Sequence, residues 1–518
     1  MDKNIEDLVK TTTRGSLILF LGQISSTFIL AFGMLLVARF LGEANYGSFN
    51  KAQSVVQIAF LVMNLGVSSA MTKFIAQFRH EGKKGYIKVF IEAGTILNII
   101  VASILTIIVY SSAGYVANEL YKDPGQEILI KTLSFSIIGQ AFMTYAQGIT
   151  VGYERMEMRS LLQLCYSLVK SVVSPVLVYI GFGTLGAILG HAAPILLSGL
   201  LGAIFIVILY RQERNESRPI THFEAIKIML SYGFPLYLSV LMNGVLPHLY
   251  TTLLGIWETD TQIGNYSVAL NFSVLLSFIT IPISTTIFPL FSKLENNKRE
   301  LNFLYRNAVK YSSLFGYPII FTIMALANPM IEILFHNNYT FAPHYLRVYM
   351  LMYSFIGFGM VCNQPLLNSQ KRTDLIFKST LVRFLIAFPL SFFAISRYGV
   401  IGLLLTYITS TGINTLIDYY NLNRVFGFQI NMQFVVKIIG LSILSYTVVY
   451  SFSSLLVVNP WIELICGALI SLTIYLVGLI GLKALTKQDF EYLMKLSDSF
   501  GPVSPVIRWI VDVLIRFS

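Results

Sequence analysis

Long apolar stretches, separated by short polar or glycine-containing turns, recur along the chain from Gly15 to Leu482. Each stretch is long enough to cross the hydrocarbon core of a bilayer, which takes roughly 20 residues of helix. Lipid offers the backbone no hydrogen-bond partners, so each stretch must satisfy its own amide groups and is interpreted as a helix. The pattern predicts about fourteen membrane-spanning helices. The predicted spans are residues 15–40, 47–74, 86–113, 128–152, 160–181, 185–210, 231–257, 262–291, 303–328, 344–369, 375–396, 400–423, 434–457 and 460–482.

Composition supports this all-α, polytopic interpretation and excludes a water-soluble fold. Of the 518 residues, 55% are hydrophobic and 12% are charged, and the mean hydropathy is +0.68. Soluble domains carry about 25% charged residues. The apolar run behind residues 1–14 is too long for a signal peptide and lacks a small-residue cleavage site, so we expect it to remain as the first helix.

The net charge of +11 is informative through its distribution along the chain. If the amino terminus is cytoplasmic, most Lys and Arg residues fall in loops on that same side, for example in the segment from Arg211 to Lys227. Cytoplasmic loops of membrane proteins carry such an excess. The pattern predicts a protein of the cytoplasmic membrane with both termini in the cytoplasm. It gives no reason to expect nucleic acid as a partner.

An internal repeat divides the predicted spans. Three pairs of matching positions lie 216 to 220 residues apart: Tyr46 and Tyr266, Gly183 and Gly399, and Glu154 and Gln370. Two halves of six helices each begin on the same side, so the repeats are parallel and enclose a central cavity. The predicted regions are an N-lobe at residues 1–210, a basic cytoplasmic linker at 211–230, a C-lobe at 231–425, a helix pair at 426–483 and an amphipathic cytoplasmic tail at 484–518.

The predicted tail ends in a segment with helical apolar spacing. Between Val506 and Phe517, isoleucine, valine and leucine recur at helical intervals with arginine and aspartate between them. The segment is too short to span a bilayer and suits a helix that lies along the inner membrane interface. A binding site for a partner protein is the alternative interpretation.

Short motifs at the ends of the predicted spans resemble a known family, the polysaccharide transporter branch of the multidrug/oligosaccharidyl-lipid/polysaccharide exporter superfamily. The motifs are Arg39, Phe40, Leu41 and Gly42, then Asn45, Tyr46 and Gly47, then Asn64, Leu65 and Gly66, and later the run from Tyr398 to Gly402. The resemblance implies a two-lobed transporter that works by alternating access. Its expected activity is to flip a polyprenyl-(di)phosphate-linked oligosaccharide, or a related lipid-linked glycan, across the membrane.

Charged residues inside predicted spans are candidates for binding the substrate, because a charge in the bilayer is costly and is usually functional. Lys170 in the fifth span and Arg383 in the eleventh are the first candidates for binding an anionic phosphate. Arg39 and Lys51 flank the outer mouth between the first two spans, where a cation would guide or release a diphosphate. The alternative for these residues is anchoring at an interface or a local ion pair.

Polar residues supply a second set of candidates through the family resemblance. In that family the first, second, seventh and eighth helices line much of the cavity, which implies saccharide contacts for Gln57, Asn64, Asn243, His248 and Asn271. Helix-to-helix hydrogen bonds are the alternative role for each.

A coupling ion would need an acidic residue near the bilayer, and Glu92 and Asp418 are the candidates. Both lie toward predicted cytoplasmic ends, where a pair with the nearby Lys88 or with a basic loop is the alternative interpretation. We therefore expect transport to be driven by an ion gradient or by the membrane potential.

Rival functions are an exporter of drugs or small cations and a membrane glycan polymerase or ligase. The first is disfavoured because the first span lacks a central acidic residue, and the second because the predicted outer loops are short and no catalytic motif is present. The three cysteines lie in apolar runs, which predicts core thiols. We expect no enzyme activity, cofactor or bound metal. The expected partners are a lipid-linked saccharide, membrane lipids and enzymes of the same pathway.

Overall fold

The computed structural model describes residues 2–213, 218–294, 297–455 and 459–485, together with Asp489. Within these ranges the chain is helical and contains no β-strand. The predicted interfacial helix between Val506 and Phe517 lies outside the described residues. The all-α prediction is confirmed.

Seven helices form the first part of the chain. They are α1 (Asp2–Met63), α2 (Val67–His80), α3 (Lys84–Tyr115), α4 (Gly125–Ser134), α5 (Ser136–Gly152), α6 (Met156–Leu177) and α7 (Gly183–Gln212). Short π-helical turns at Val116–Leu120 and Val178–Phe182 follow α3 and α6. Helix α1 bends at Gly42, whose φ of 72° and ψ of 173° are not helical.

Ten helices follow. They are α8 (His222–Trp257), α9 (Asp260–Asn271), α10 (Ser273–Lys293), α11 (Lys298–Ala325), α12 (Ala327–Phe335), α13 (Ala342–Met350), α14 (Asn363–Ser369), α15 (Thr373–Phe426), α16 (Met432–Leu455) and α17 (Pro460–Gly481). Short 3₁₀ segments at His336–Asn338 and Leu351–Phe358 lie on either side of α13. Helix α8 begins with a capping box in which Thr221 and Glu224 bond each other's backbone, which satisfies amides left free at a helix start.

Eight helical stretches of the described chain are long and apolar enough to cross a membrane, or up to ten if each of two bent pairs is one span. Glycine breaks at Gly42, Gly183 and Gly399 fall between predicted spans 1 and 2, 5 and 6, and 11 and 12. The polytopic architecture is therefore as predicted. The number fourteen stays a prediction.

The backbone supports the internal repeat. Gly183 has φ 53° and ψ −137°, and Gly399, at the matching position, has φ 56° and ψ −135°. The asparagine side chains of Asn45 and Asn265 each donate to the carbonyl four residues earlier, at 3.2 and 2.8 Å. Both halves thus share the same glycine backbone conformation and the same asparagine-to-backbone hydrogen bond at corresponding positions.

One correspondence differs by a residue from the sequence alignment. The turn before α6 places Glu154 at φ 60°, and the turn before α15 places Lys371 at φ 59°. The prediction matched Glu154 with Gln370, whereas the shared left-handed conformation matches it with Lys371. Side-chain type misled the alignment here, because the turn requires a backbone conformation and not a particular side chain.

Replacing Gly399 with alanine should lower the free energy of unfolding by about 2 kcal/mol, since its backbone region is nearly restricted to glycine. A Cβ at this position would also lie 1.7 Å from Glu258 Oε1, so that side chain would have to move. Gly427→Ala is the matched control, because Gly427 has φ 73° and ψ 23° and no atom within 4 Å of an added Cβ. Thermal unfolding of the purified variants measures both. Equal stability of Gly399→Ala and wild type would contradict the prediction.

The chain divides into two compact units, Met1–Val268 with Ala387–Leu403, and Ala269–Ile386 with Leu404–Ser518. We call them unit 1 and unit 2. In unit 1, Met71, Phe90 and Ile149 belong to a buried apolar cluster. In unit 2, Phe291 and Leu366 belong to another. The lobe boundaries predicted from the repeat stay a prediction.

Candidate functional site

A buried and doubly paired charge in unit 1 is Lys51, which lies in α1 beyond the Gly42 bend and is 3% exposed. Its ammonium nitrogen is 3.0 Å from Asp123 Oδ2 and 2.6 Å from Asp260 Oδ1. The same nitrogen lies 5.4 Å from the centroid of the Tyr121 ring. A buried ammonium requires such partners, because removal from water is costly. We call these four residues the lysine clamp.

The carboxylates of the clamp differ in how firmly they are held. Asp123 Oδ1 also accepts a hydrogen bond from the amide of Gly125 at 3.1 Å, at the start of α4. Burial opposes ionisation of Asp123, but the hydrogen bond and charge of Lys51 outweigh it and lower the pKa of this carboxyl. Burial raises the pKa of Tyr121 to about 12. At neutral pH Asp123 is therefore ionised and the Tyr121 hydroxyl is neutral.

Beside the clamp, α1 and the start of α9 meet through glycines. A Cβ added to Gly47 would lie 1.7 Å from the carbonyl oxygen of Asp260, and one added to Gly264 would lie 1.9 Å from that of Glu43. Asn265 Nδ2 donates to Glu43 Oε2 at 2.8 Å. We call this contact, at the predicted outer end of the helices, the outer glycine contact. It leaves no room for a side chain.

A second glycine contact lies at the other end of the segment that begins at Gly47, where Gly66 meets α8. A Cβ on Gly66 would lie 2.1 Å from the carbonyl oxygen of Gly233, and a Cβ on Gly233 would lie 2.4 Å from that of Gly66. Nearby, the ammonium of Lys73 lies 3.8 Å from the centroid of the Tyr232 ring. We call this the inner glycine contact. Within unit 1, the span between Gly47 and Gly66 is therefore closely packed at both ends.

Lys170 is the second buried cation of unit 1 and is 8% exposed. Its ammonium donates to the hydroxyl of Tyr166 at 3.3 Å. Among the residues that the structure describes, no carboxylate lies within ion-pair distance of it. His191, 2% exposed, has Nε2 3.5 Å from Gln53 Nε2, while its Nδ1 has no protein partner in the described chain. This part of unit 1 thus has buried polar groups with unfilled bonding capacity.

In unit 2, Asp418 is 1% exposed and accepts a hydrogen bond from Asn414 Nδ2 at 3.1 Å. Arg383, on the first half of α15, lies within electrostatic range of this carboxylate. Five buried polar atoms in this helix have no protein partner in the described chain: Thr380 Oγ1, Arg383 Nε, Thr411 Oγ1, Asn414 Oδ1 and Asp418 Oδ1. Native proteins rarely leave such atoms unpaired without water, an ion or a ligand.

Glu92 has a different environment. Tyr210 donates to its carboxylate at 2.6 Å, and His222 and Arg218 approach it at 2.8 and 3.1 Å. A cavity of about 340 Å³ beside it is lined mainly by apolar side chains from α3 and α7, including Ile96 and Val207. The carboxylate is paired with the basic linker, which matches the alternative given for it above.

The other predicted residues are not gathered into one cluster. Arg39 and Asn243 are exposed, whereas Gln57, His248 and Asn271 are half-buried. Asn64 lies in the turn between α1 and α2, where its carbonyl accepts from the amide of Val67 at 2.9 Å. Their roles in binding saccharide stay predictions, as do those of the charged residues.

The sequence reasoning missed the residues that complete these groups. Asp123 and Asp260 lie in short loops or at a helix start, and Asn414 lies on an apolar helix. Asn414 and Asp418 are four residues apart on one helical face, a spacing that signals a side-chain pair. For the two aspartates, no local signal exists, since each lies far along the chain from Lys51.

Known proteins are similar to this chain over most of its length. Residues 36–344 match the family described as polysaccharide biosynthesis protein. The probable low-salt glycan biosynthesis flippase Agl15 of Haloferax volcanii is 20% identical over 497 residues, covering 93% of this chain and 98% of that protein. The lipopolysaccharide biosynthesis protein WzxC of Escherichia coli is 20% identical over 414 residues, covering 77% and 78%.

Solved structures share the fold. The lipid II flippase MurJ in an inward closed conformation has a TM-score of 0.72 at 16% identity, covering 89% of this chain and 98% of that one. An inward-facing multidrug resistance MATE family transporter of the MOP superfamily has a TM-score of 0.65 at 16% identity, covering 78% and 94%. The architecture is that of a polytopic membrane transporter, and the predicted resemblance is confirmed. The family match covers more than half of the chain, which therefore belongs to the polysaccharide biosynthesis protein family.

Proposed function

We propose that this protein flips a lipid-linked glycan, carried on a polyprenyl phosphate or diphosphate, across the cytoplasmic membrane. The names of Agl15 and MurJ describe flippases, and WzxC is named for lipopolysaccharide biosynthesis. Each of these proteins matches most of this chain, and MurJ shares its helical architecture. Alternating access between two lobes, at residues 1–210 and 231–425, would carry the headgroup across.

The observation that carries the proposal is the buried ammonium of Lys170. It lies within a predicted span and has no acidic partner among the described residues. An unpaired charge in such a place is costly unless it serves a ligand of opposite charge. A phosphate or diphosphate supplies that charge, and Gln53 and His191 nearby offer hydrogen bonds to a polar headgroup.

The same observation disfavours a cationic drug as substrate. Lys170 and, in unit 2, Arg383 would repel a cation in a low-dielectric interior, where charges interact strongly. The multidrug transporter with a similar fold is thus a guide to architecture and not to cargo. We propose transport without chemistry on the substrate, since Agl15 and MurJ are named as flippases.

The proposal includes a topology and partners. Both termini would lie in the cytoplasm, because the basic loops prefer that side. The basic linker at residues 211–230 would then meet the aqueous phase, as would the tail at residues 484–518. Glycosyltransferases or a polymerase of the same pathway would supply or consume the lipid-linked glycan.

The decisive experiment is translocation in vesicles that contain the purified protein. A fluorescent polyprenyl-diphosphate oligosaccharide is placed in one leaflet, and its loss of protection from a quencher or a glycosidase is measured. We expect movement with the protein and none in empty vesicles. Export of an organic cation without movement of the lipid would overturn the proposal and favour the drug-exporter alternative.

For the driving force, we favour Asp418 over Glu92 as the coupling carboxylate. Asp418 is buried and its hydrogen-bonding neighbours Asn414, Ser379 and Gln364 are uncharged. Glu92 is already bonded by a tyrosine, an arginine and a histidine. Asp418→Asn should therefore abolish the stimulation of transport by an ion gradient or membrane potential while leaving passive exchange of the lipid.

The matched control for that prediction is Asp374→Asn. Asp374 pairs with Arg372 at 3.0 Å on an exposed turn and is not part of a candidate site. Its loss should leave gradient-driven transport unchanged, because surface ion pairs contribute little. Transport that is equally stimulated in Asp418→Asn and in wild type would refute this assignment.

A further inference from the structure

The lysine clamp joins two roles that the fold places on one side chain. Lys51 is the cation predicted to meet a diphosphate, and it also bonds α1 to the start of α9 through Asp260. Two carboxylates already surround it, at 3.0 and 2.6 Å. A phosphate that binds Lys51 must therefore displace or compete with one of them.

The two carboxylates are not equivalent in this competition. Asp123 is fixed in its turn, since its amide donates to the carbonyl of Ala117 at 2.9 Å and its Oδ1 accepts from Gly125. Asp260 lies at the first residue of α9, beside the outer glycine contact. Displacing Asp260 would therefore remove an ionic bond between α1 and α9 and weaken a contact that the bond from Asn265 to Glu43 also holds, whereas displacing Asp123 would release a local turn.

We infer that Asp260 is a stand-in for the substrate phosphate: it binds Lys51 in the closed state and is exchanged for the diphosphate as the outer glycine contact opens. This inference rests on the proposed function. Asp260 is then a positioning residue, because it acts by holding Lys51 and α9 and not by touching the substrate. Substrate occupancy and outer opening become a single equilibrium.

Charge supports the exchange. As the structure shows them, Lys51 and its two aspartates carry a formal net charge of minus one, and Lys51 is almost fully shielded from water. Separation of α9 without a replacement anion would leave Lys51 with Asp123 alone. A diphosphate restores a second anion, and charge-assisted bonds to phosphate are among the strong ones. The empty carrier is therefore held closed at this end.

The test uses a cysteine beneath the clamp. Ser54 is 2% exposed, and its hydroxyl lies 2.9 Å from that of Thr252 in α8. In full-length protein with Cys165, Cys362 and Cys466 replaced by serine, Ser54→Cys is labelled with a charged thiol reagent. Farnesyl diphosphate, a soluble polyprenyl diphosphate, is the probe, and farnesol is its uncharged control.

In the otherwise unaltered clamp, labelling should be slow and should accelerate at least about tenfold with farnesyl diphosphate but not with farnesol. Asp260→Asn should label fast without the probe and show no further acceleration, and Lys51→Met should behave likewise. Asp260→Glu keeps the carboxylate, so its labelling should be slow without the probe and should accelerate with farnesyl diphosphate. Glu127→Gln is the matched control, since Glu127 pairs with Lys131 at 2.6 Å outside the clamp, and its labelling should equal that of the unaltered clamp.

Two outcomes would overturn the inference: slow labelling of Asp260→Asn, or no response of the unaltered clamp to farnesyl diphosphate. Elution of each variant as a single symmetric species on size-exclusion chromatography ensures that fast labelling does not report unfolding. Translocation of the lipid-linked oligosaccharide is measured separately. If translocation proceeds while labelling ignores the probe, the clamp inference fails and the proposed function stands. If labelling responds but no glycan moves, the clamp is supported and the proposed cargo is wrong.

Discussion

Replacing Lys170 with methionine should slow translocation of a polyprenyl-diphosphate oligosaccharide about 100-fold, because loss of one buried charge from an ionic contact costs several kcal/mol. The folded protein should be at least as heat-stable as wild type. Methionine has a similar length and needs no counter-ion, whereas the ammonium of Lys170 contacts the hydroxyl and ring of Tyr166 and has no carboxylate partner among the described residues. Loss of function together with retained or greater stability separates a ligand-binding lysine from a structural one.

Two variants make that result interpretable. Lys170→Arg keeps the charge and should retain most of the transport. Lys131→Met removes a lysine that already pairs with Glu127 at 2.6 Å, and it should transport normally. Translocation is measured in vesicles and stability by thermal unfolding. If Lys170→Met transports at the wild-type rate, or unfolds at a much lower temperature, the anion-binding role of Lys170 is wrong.

The second large effect concerns the two glycine contacts. A valine in either contact should lower transport, and the two variants should open opposite ends of the protein. Gly264→Val would place its side chain against the backbone of Glu43, and Gly233→Val would place its side chain against the backbone of Gly66. Backbone cannot move aside as a flexible side chain can. Each variant should therefore keep the two segments of its own glycine contact separated. We expect both to lower transport at least about tenfold, since closely packed sites tolerate added volume poorly.

Accessibility distinguishes the two glycine variants. Gln57, between Gly47 and Gly66 on α1, is replaced by cysteine and exposed to an impermeant thiol reagent in right-side-out and in inverted vesicles. Gly264→Val should be labelled from outside and Gly233→Val from inside. Labelling of both variants from the same side would contradict the assignment of the two contacts to opposite faces. It would also remove the structural basis for alternating access in unit 1.

Much of the helical framework follows from the sequence alone. Apolar stretches of bilayer length can only be helices, so the ends of α3, α11 and α17 lie close to those of predicted spans 3, 9 and 14. Glycines marked the breaks because few other residues adopt the backbone angles seen at Gly183 and Gly399. Local rules of this kind require no knowledge of distant parts of the chain.

The pairings of charged residues did not follow from the sequence. Lys51 was identified as a notable cation, but its partners Asp123 and Asp260 lie in other parts of the chain and become neighbours only through packing. For Glu92 the sequence left two kinds of partner open, the nearby Lys88 and a basic loop. Arg218 of the basic linker and His222 at the start of α8 approach it at 3.1 and 2.8 Å. Helical periodicity predicts which face a residue occupies, but not which helix will lie against that face.

The matching backbone conformation at Gly183 and Gly399 also indicates how the two halves of the chain are related in evolution. Two turns separated by 216 positions share their φ and ψ angles to within about 3°, although the residues around them have largely diverged. A duplication of an ancestral half-length gene would leave this trace, since an alanine at either turn carries a conformational penalty that few other positions impose. In such a lineage this penalty would oppose substitution of either glycine, so the two turns would still record the ancient doubling after most side chains around them had changed.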